Sequence, residues 1–225
     1  MDINYLNRSI IKLRNLNYGF ILRLTDFKDL WILNCCEGCQ YRIIDKGYKI
    51  NNMSKIIITS LHINNISGLL GLLSSLNLIG RIKSLHIYGP VGLKYYLDLG
   101  KKYSHTNFNY IVYIHILKTG LVINHSKYRI YSLITKNQYQ FIIIQLEQYG
   151  TFLLNQAKKN YLTPSPLYGK LKRGLIFLLP DGFILNGCKF TAVNLLGNQF
   201  FFALKPYCNR KIVENSLFSS IIIYQ

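Results

Sequence analysis

The stretch that most constrains this chain runs from Lys55 to Ser75. Lys55–Thr59 is an apolar block of strand length, and it ends in a polar break holding Ser60, His62, Asn64 and Asn65. From Ile66 to Asn77 apolar residues recur at helical spacing, with Gly68 and Gly71 near the start of the run and Gly80 beyond its end. A strand feeding through a short polar loop into an apolar-faced helix is a unit of layered α/β architecture, because each element covers the apolar face of the other.

The rest of the chain repeats this alternation. Apolar segments predict strands over Asp2–Leu6, Gly19–Leu24, Leu30–Asn34, Leu85–Tyr88, Tyr110–Ile116, Leu121–Ile123, Tyr128–Leu133 and Phe141–Gln145. Helices are expected over Gln40–Lys46, after the Gly38 turn, and over Val91–Lys101, after Gly89-Pro90. The order implies an α/β layered sandwich with mixed sheets. At 225 residues the chain can bury a sizeable core and suits one domain, 1–225, with or without an appendage.

Charge narrows the partners. Lys and Arg number 27 against 9 Asp and Glu, a net charge of +18. Such a field favours polyanions, either nucleic acid or an anionic membrane surface. The excess of Ile, Leu, Asn, Lys and Tyr is also what an AT-rich genome imposes, so codon bias supplies part of that charge. No apolar run approaches the roughly 18 residues that span a bilayer. The N-terminus lacks a signal-peptide or transit-peptide layout, so a soluble protein outside the membrane is expected. An odd number of cysteines, five, argues against a disulfide framework. Cys36 and Cys39 stand in a C-x-x-C, but no second pair completes a zinc site; with Cys35 they read as small residues filling a strand-end turn.

Thr163–Gly174 has a different character. Two prolines, two glycines, Lys170, Lys172 and Arg173 describe an exposed, semi-rigid, cationic loop. Its cations suit phosphates and Tyr168 offers a flat face for a base, although a solvated basic turn has the same composition.

Several blocks, in order, resemble the ribonuclease Z family, the tRNA 3′-end endonucleases of metallo-β-lactamase fold. Met1-Asp-Ile-Asn-Tyr-Leu resembles the family's first strand, and Lys12-Leu-Arg-Asn15 its Pro-x-Lys-x-Arg-Asn loop. Trp31–Gln40 resembles the strand and turn usually read Leu-Phe-Asp-Cys-Gly-Glu-Gly-Thr-Gln. Lys55–Ser75 resembles the metal block Thr-His-x-His-x-Asp-His with its Gly-Leu-Pro-Gly-Leu-Leu helix, continued by Gly80-Arg81 and Ile87–Lys94. Pro166–Gly174, with Asp181-Gly182 beyond, resembles the arm that grips tRNA. The resemblance covers essentially the whole chain. It implies a four-layer αββα metallo-β-lactamase-like sandwich lacking its C-terminal part, with residues 150–182 as a protruding basic arm. It further implies RNA contacts from Lys12, Arg14, Tyr168, Lys170, Lys172 and Arg173.

The departures fall on the chemistry. The ligand positions read Ser60, His62, Asn64 and Asn65, so only His62 keeps a ligand's side chain. The family's base position is Asn64, a neutral amide, and a later ligand histidine falls at Lys136. A bridging Asp would fall near Leu204-Lys205, and a His-Glu pair at Tyr224-Gln225. Metal-assisted hydrolysis needs cations held by imidazole or ionised carboxylate, so the resemblance implies zinc only if the family activity survives. No other catalytic set replaces it: the nine carboxylates are spread thinly, and no Walker, nucleophile-elbow or H-E-x-x-H motif occurs. His86 and His115 lie in strand-like runs and are read as structural; His105 and His125 carry no assignment.

Three functions stay open from these residues. The first is a ribonuclease Z-like protein of tRNA 3′-end maturation that binds tRNA or pre-tRNA without cleaving it, as a homodimer or beside an active ribonuclease Z. The second is an active metal-dependent endoribonuclease with unconventional or partner-supplied ligands. The third is a structural or decaying protein with no RNA role. The codon bias points to a plastid, with a bacterial cytoplasm as the alternative.

Overall fold

The computed structural model describes residues 11–15, 19–24, 29–125, 127–135, 138–194, 196–203, 214, 219 and 221–224. The predicted first strand, Lys136, Leu204-Lys205 and Gln225 lie outside them.

Among the described residues one sheet has the order β1–β2–β3–β4–β5–β6. These strands are Ile11–Asn15, Phe20–Leu24, Asp29–Leu33, Met53–Ile57, Leu85–Gly89 and Val112–Ile116. The first three pair antiparallel and β3 to β6 pair parallel, with helices in the crossovers. Both faces of the central strands are buried, which is why they read as continuous apolar runs. Ile32, Ile56, Ile58 and Ile87 face a core shared with helical residues Ile43, Leu69, Leu72, Leu73, Leu76, Leu93 and Leu97. Trp31, Leu33, Ile57 and Tyr88 point the other way, into a core shared with a second sheet.

That second sheet has the order β13–β12–β9–β8–β7. Its strands, in chain order, are β7 Gly120–Asn124, β8 Tyr128–Thr135, β9 Gln138–Gln145, β12 Asn198–Ala203 and β13 Ile221–Tyr224. Phe200 and Phe202 meet Phe20, Phe141 and Ile143 between the sheets, whereas Phe201 and Ala203 are buried on the outer face with Leu133 and Ile142. The layers are therefore helices, sheet, sheet and a second buried outer face.

Helices α1 (Cys39–Asp45), α2 (Ile63–Ile66), α3 (Leu69–Leu78) and α4 (Leu93–Ser104) follow strands β3, β4 and β5. The single helix expected from Ile66 is two. The break falls at Gly68, whose N–H donates to Cys35 O at 3.0 Å. A side chain there would sit 2.0 Å from Cys36 O, so only glycine lets the helix start press against the β3–α1 turn.

Residues 152–190 gather around a small core of their own. Helix α5 (Leu154–Lys159), helix α6 (Leu167–Lys172) and the β10–β11 hairpin (Ile176–Leu178 with Ile184–Asn186) bury Ala157, Leu171, Leu185 and Phe190. The loop expected over Thr163–Gly174 is thus corrected to a helical turn. Pro166 supplies a helical φ of −54° at its start, Gly174 stops it at φ 79°, and Leu167 and Leu171 share its inward face. Lys12 and Arg14, expected in a loop, lie in strand β1 opposite Arg23 and Ile21.

Candidate functional site

The polar loop between β4 and α2 meets the turn after β3. Asn34 leaves β3 in the left-handed region, φ 59°, a conformation that Asn tolerates better than most residues. Its side-chain oxygen accepts from the Thr59 N–H at 2.9 Å and from the Thr59 hydroxyl at 2.8 Å. The Cys35 N–H donates to Asn65 O at 2.8 Å, which ties the two loops together. Thr59 O in turn accepts from Tyr139 N of the second sheet at 3.2 Å.

Within this frame Ser60 and Asn65 come together. Asn65 is only 6% exposed, and its amide Nδ2 donates to Ser60 Oγ at 2.9 Å and to Thr59 Oγ1 at 3.2 Å. His62 does not join them. It is exposed, and its Nδ1 accepts from the Asn64 N–H at 3.4 Å, capping the start of α2. Asn64 is exposed as well.

A zinc centre needs lone pairs from imidazole, thiolate or carboxylate converging on one point. Here the buried amide of Asn65 directs N–H donors at the Ser60 and Thr59 oxygens, so one lone pair of each is already engaged. Asn64 and Asn65 are neutral amides, and the one imidazole points elsewhere. Among the described residues no group of three or more His, Cys, Asp or Glu could hold a metal ion. The residues present do not fit a zinc centre of the metallo-β-lactamase kind, and no reaction step through zinc follows from them.

Cys35, Cys36 and Cys39 are buried in the turn, as their small size suggests. Cys35 Sγ lies 3.0 Å from Cys39 Sγ, and burial, reinforced by that contact, pushes the Cys35 thiol well above its ordinary range. Such a thiol stays protonated and is a poor nucleophile.

The predicted RNA contacts lie elsewhere. Lys170, Lys172 and Arg173 are exposed on or beside α6. Tyr168 is half-buried: its ring packs on Phe152 at 4.7 Å, and its hydroxyl donates to Leu162 O at 2.6 Å. That ring holds α6 onto its own small core. The pairing of Leu167 with Leu171 between a proline and a glycine was the signal for this.

His86 and His115, read as structural, sit side by side on β5 and β6, with Nδ1 of one 3.0 Å from Nε2 of the other. Tyr113 stacks on His86, and Tyr88 on His115. Sequence reasoning missed the partners of this stack because parallel pairing alone brings Lys55, His86 and Tyr113 into line.

The layered architecture is that of the metallo-β-lactamase fold. The Rm3 metallo-beta-lactamase superposes with a TM-score of 0.51 at 10% identity, over 96% of this chain and 75% of that one. A long-form RNase Z from yeast superposes with a TM-score of 0.53 at 14% identity, over 92% of this chain and 30% of that one. No protein-family model matches the chain. Among curated relatives, ribonuclease Z of Nostoc sp. is 30% identical over 232 residues, covering all of this chain and 71% of its own length. The uncharacterized protein ycf56 of Porphyra purpurea is 34% identical over 223 residues, covering 98% of this chain and 84% of its own. The chain belongs to the ribonuclease Z family.

Proposed function

We propose that this chain is a member of the tRNA 3′-processing family that no longer cleaves RNA by a metal-assisted route and keeps a tRNA-binding role. One observation carries the reading: Asn65 donates to Ser60 and Thr59 within the loop that holds the ligand positions. A hydrogen-bonded plug of neutral groups supplies neither the charge nor the open lone pairs that hydroxide generation requires. The exposed cations of α6 support the binding half, with residues 150–182 as the basic arm of a single domain spanning 1–225. The partner is tRNA or pre-tRNA, met as a homodimer or beside an active ribonuclease Z, and no cofactor is used. Relatives from Porphyra purpurea, Pyropia yezoensis and cyanobacteria such as Nostoc sp. support a plastid as its compartment, with a bacterial cytoplasm as the alternative. Among the described residues no helix is long and apolar enough to cross a membrane.

The test pairs metal analysis with a cleavage assay on a 3′-extended pre-tRNA. Zinc and manganese well below one ion per chain, with no cut after the discriminator nucleotide, are expected. About two ions per chain together with cleavage would overturn the reading, because a dinuclear site needs both. Binding is tested separately: Lys170→Ala with Lys172→Ala should lower the salt dependence of pre-tRNA binding by about one unit of slope per lysine. An unchanged slope removes the arm from the interface.

A further inference from the structure

The opposite ends of the same parallel strands carry a second feature, independent of the family chemistry. A cleft of about 530 Å³ opens where β4 and β5 begin, lined among others by Asp29, Ser54, Lys55, Arg81, Lys83 and His86. Arg81 is only 2% exposed, and its three guanidinium nitrogens donate to Lys83 O, Asn51 O and Ser84 O at 2.7, 3.1 and 2.8 Å. Those carbonyls are neutral, so they satisfy its donors without cancelling its charge. Lys55 is half-buried with Nζ 4.5 Å from the centre of the Trp31 ring, and Lys83 is exposed at the rim. Among the described residues Asp29 is the only carboxylate lining the cleft. Burial lowers the affinity of Lys55 for its proton, and Asp29 offsets this in part. Beside these cations the buried hydroxyl of Ser54 has no hydrogen-bond partner among the described residues.

Cations held in a partly dry wall, next to an unpartnered hydroxyl donor, form the donor set that phosphate oxygens satisfy. The size adds a second constraint. Small-molecule sites span roughly 300–1,000 Å³, so this cleft has room for a phosphate together with an organic group. We infer that the cleft at the start of β4 and β5 binds a terminal phosphate monoester of nucleotide size, with Lys55 and Lys83 meeting the phosphate and Ser54 donating to it. Arg81 contributes its charge through the wall. The ligand is either a free nucleoside monophosphate or the 5′-phosphorylated nucleotide of an RNA end. The inference does not rest on the loss of cleavage, which concerns the other end of the sheet.

Trp31 is the only tryptophan of the chain and lies under Lys55, so its fluorescence reports on the cleft. Titration of the intact protein with adenosine monophosphate should give a saturable change, and adenosine should bind at least about tenfold more weakly, the size of one charge-assisted contact. Ser54→Ala and Lys83→Ala, neither of which removes a core side chain, should each weaken adenosine monophosphate by about three- to tenfold when measured calorimetrically. The proposal is overturned if adenosine binds as well as its monophosphate, or if nothing saturates below about 10 mM. It is equally overturned if both variants bind as the parent does while keeping its melting temperature. RNA oligomers with a 5′-phosphate or a 5′-hydroxyl then separate the two sources. Phosphate-dependent binding at least about tenfold tighter than that of the mononucleotide assigns an RNA end, and equal binding assigns the free nucleotide.

Discussion

The two ends of β4 solve the same problem, buried polar groups, in opposite ways. At the C-terminal end Asn34, Thr59, Ser60 and Asn65 are neutral and complementary, so the Thr59 N–H, the Thr59 hydroxyl and the Asn65 amide all find acceptors within the group. At the N-terminal end Lys55, Arg81 and Lys83 line a cleft where, among the described residues, Asp29 is the one carboxylate to oppose them and the Ser54 hydroxyl has no partner. Neutral amides and hydroxyls can satisfy one another and close a site. Like charges cannot, and a chain with 27 cations and 9 carboxylates has too few anions to pair them all. The closed end is therefore the end where stability resides, and the open end is where a ligand still has something to gain.

That contrast breaks if substitutions at the closed end prove mild. The largest effect is expected at Gly68, where a methyl group would lie 2.0 Å from a backbone oxygen that cannot swing aside. Gly68→Ala should cost more than about 3 kcal/mol in denaturant unfolding, because the β3 turn and the helix start must separate. Asn34→Ala comes next. It strands the N–H and hydroxyl of buried Thr59 and puts alanine at φ 59°. About 3 kcal/mol is expected. A loss below about 1 kcal/mol would show that the network does not hold this end. At the open end Lys55→Met should change stability by less than about 1 kcal/mol, since the cation–π contact it gives up is offset by relief from burying charge.

What the sequence revealed and what it withheld follow the same division. The β3–turn–α1 and β4–loop–α3 units were legible because Ile56–Ile58 and Leu69–Leu76 carry strong local patterns between glycines. Strand β12 was not: Phe200, Phe201 and Phe202 are buried on both faces, so no period-two alternation marks them. The identity of the ligand positions could be read, but not their mutual bonding, which depends on Asn34 a full 25 residues from Thr59 in the chain. The cleft was invisible for a related reason. The register that sets Lys55 against His86, with Lys83 and Arg81 just before β5, is a property of parallel pairing and leaves no trace in local spacing.

The smallest predicted effect is a pH dependence belonging to the open end. His86 faces Lys55, His115 and Tyr113, and burial, then His115, then Lys55 hold its pKa below its ordinary value of 6.5. The unfolded chain therefore takes up this proton more readily than the folded one. Stability is fully present above pH 6.5 and falls as the pH drops from there toward the lowered folded value, the sign expected when the unfolded state binds more protons. His86→Gln should flatten the melting temperature between about pH 7 and pH 5, a window above the ordinary carboxylate range. Gln keeps a donor and an acceptor for His115 but carries no titrating charge beside Lys55. If the acid-side loss persists in that variant, the cations around the cleft are too well hydrated to sense one another, and the contrast between the two ends of β4 weakens accordingly.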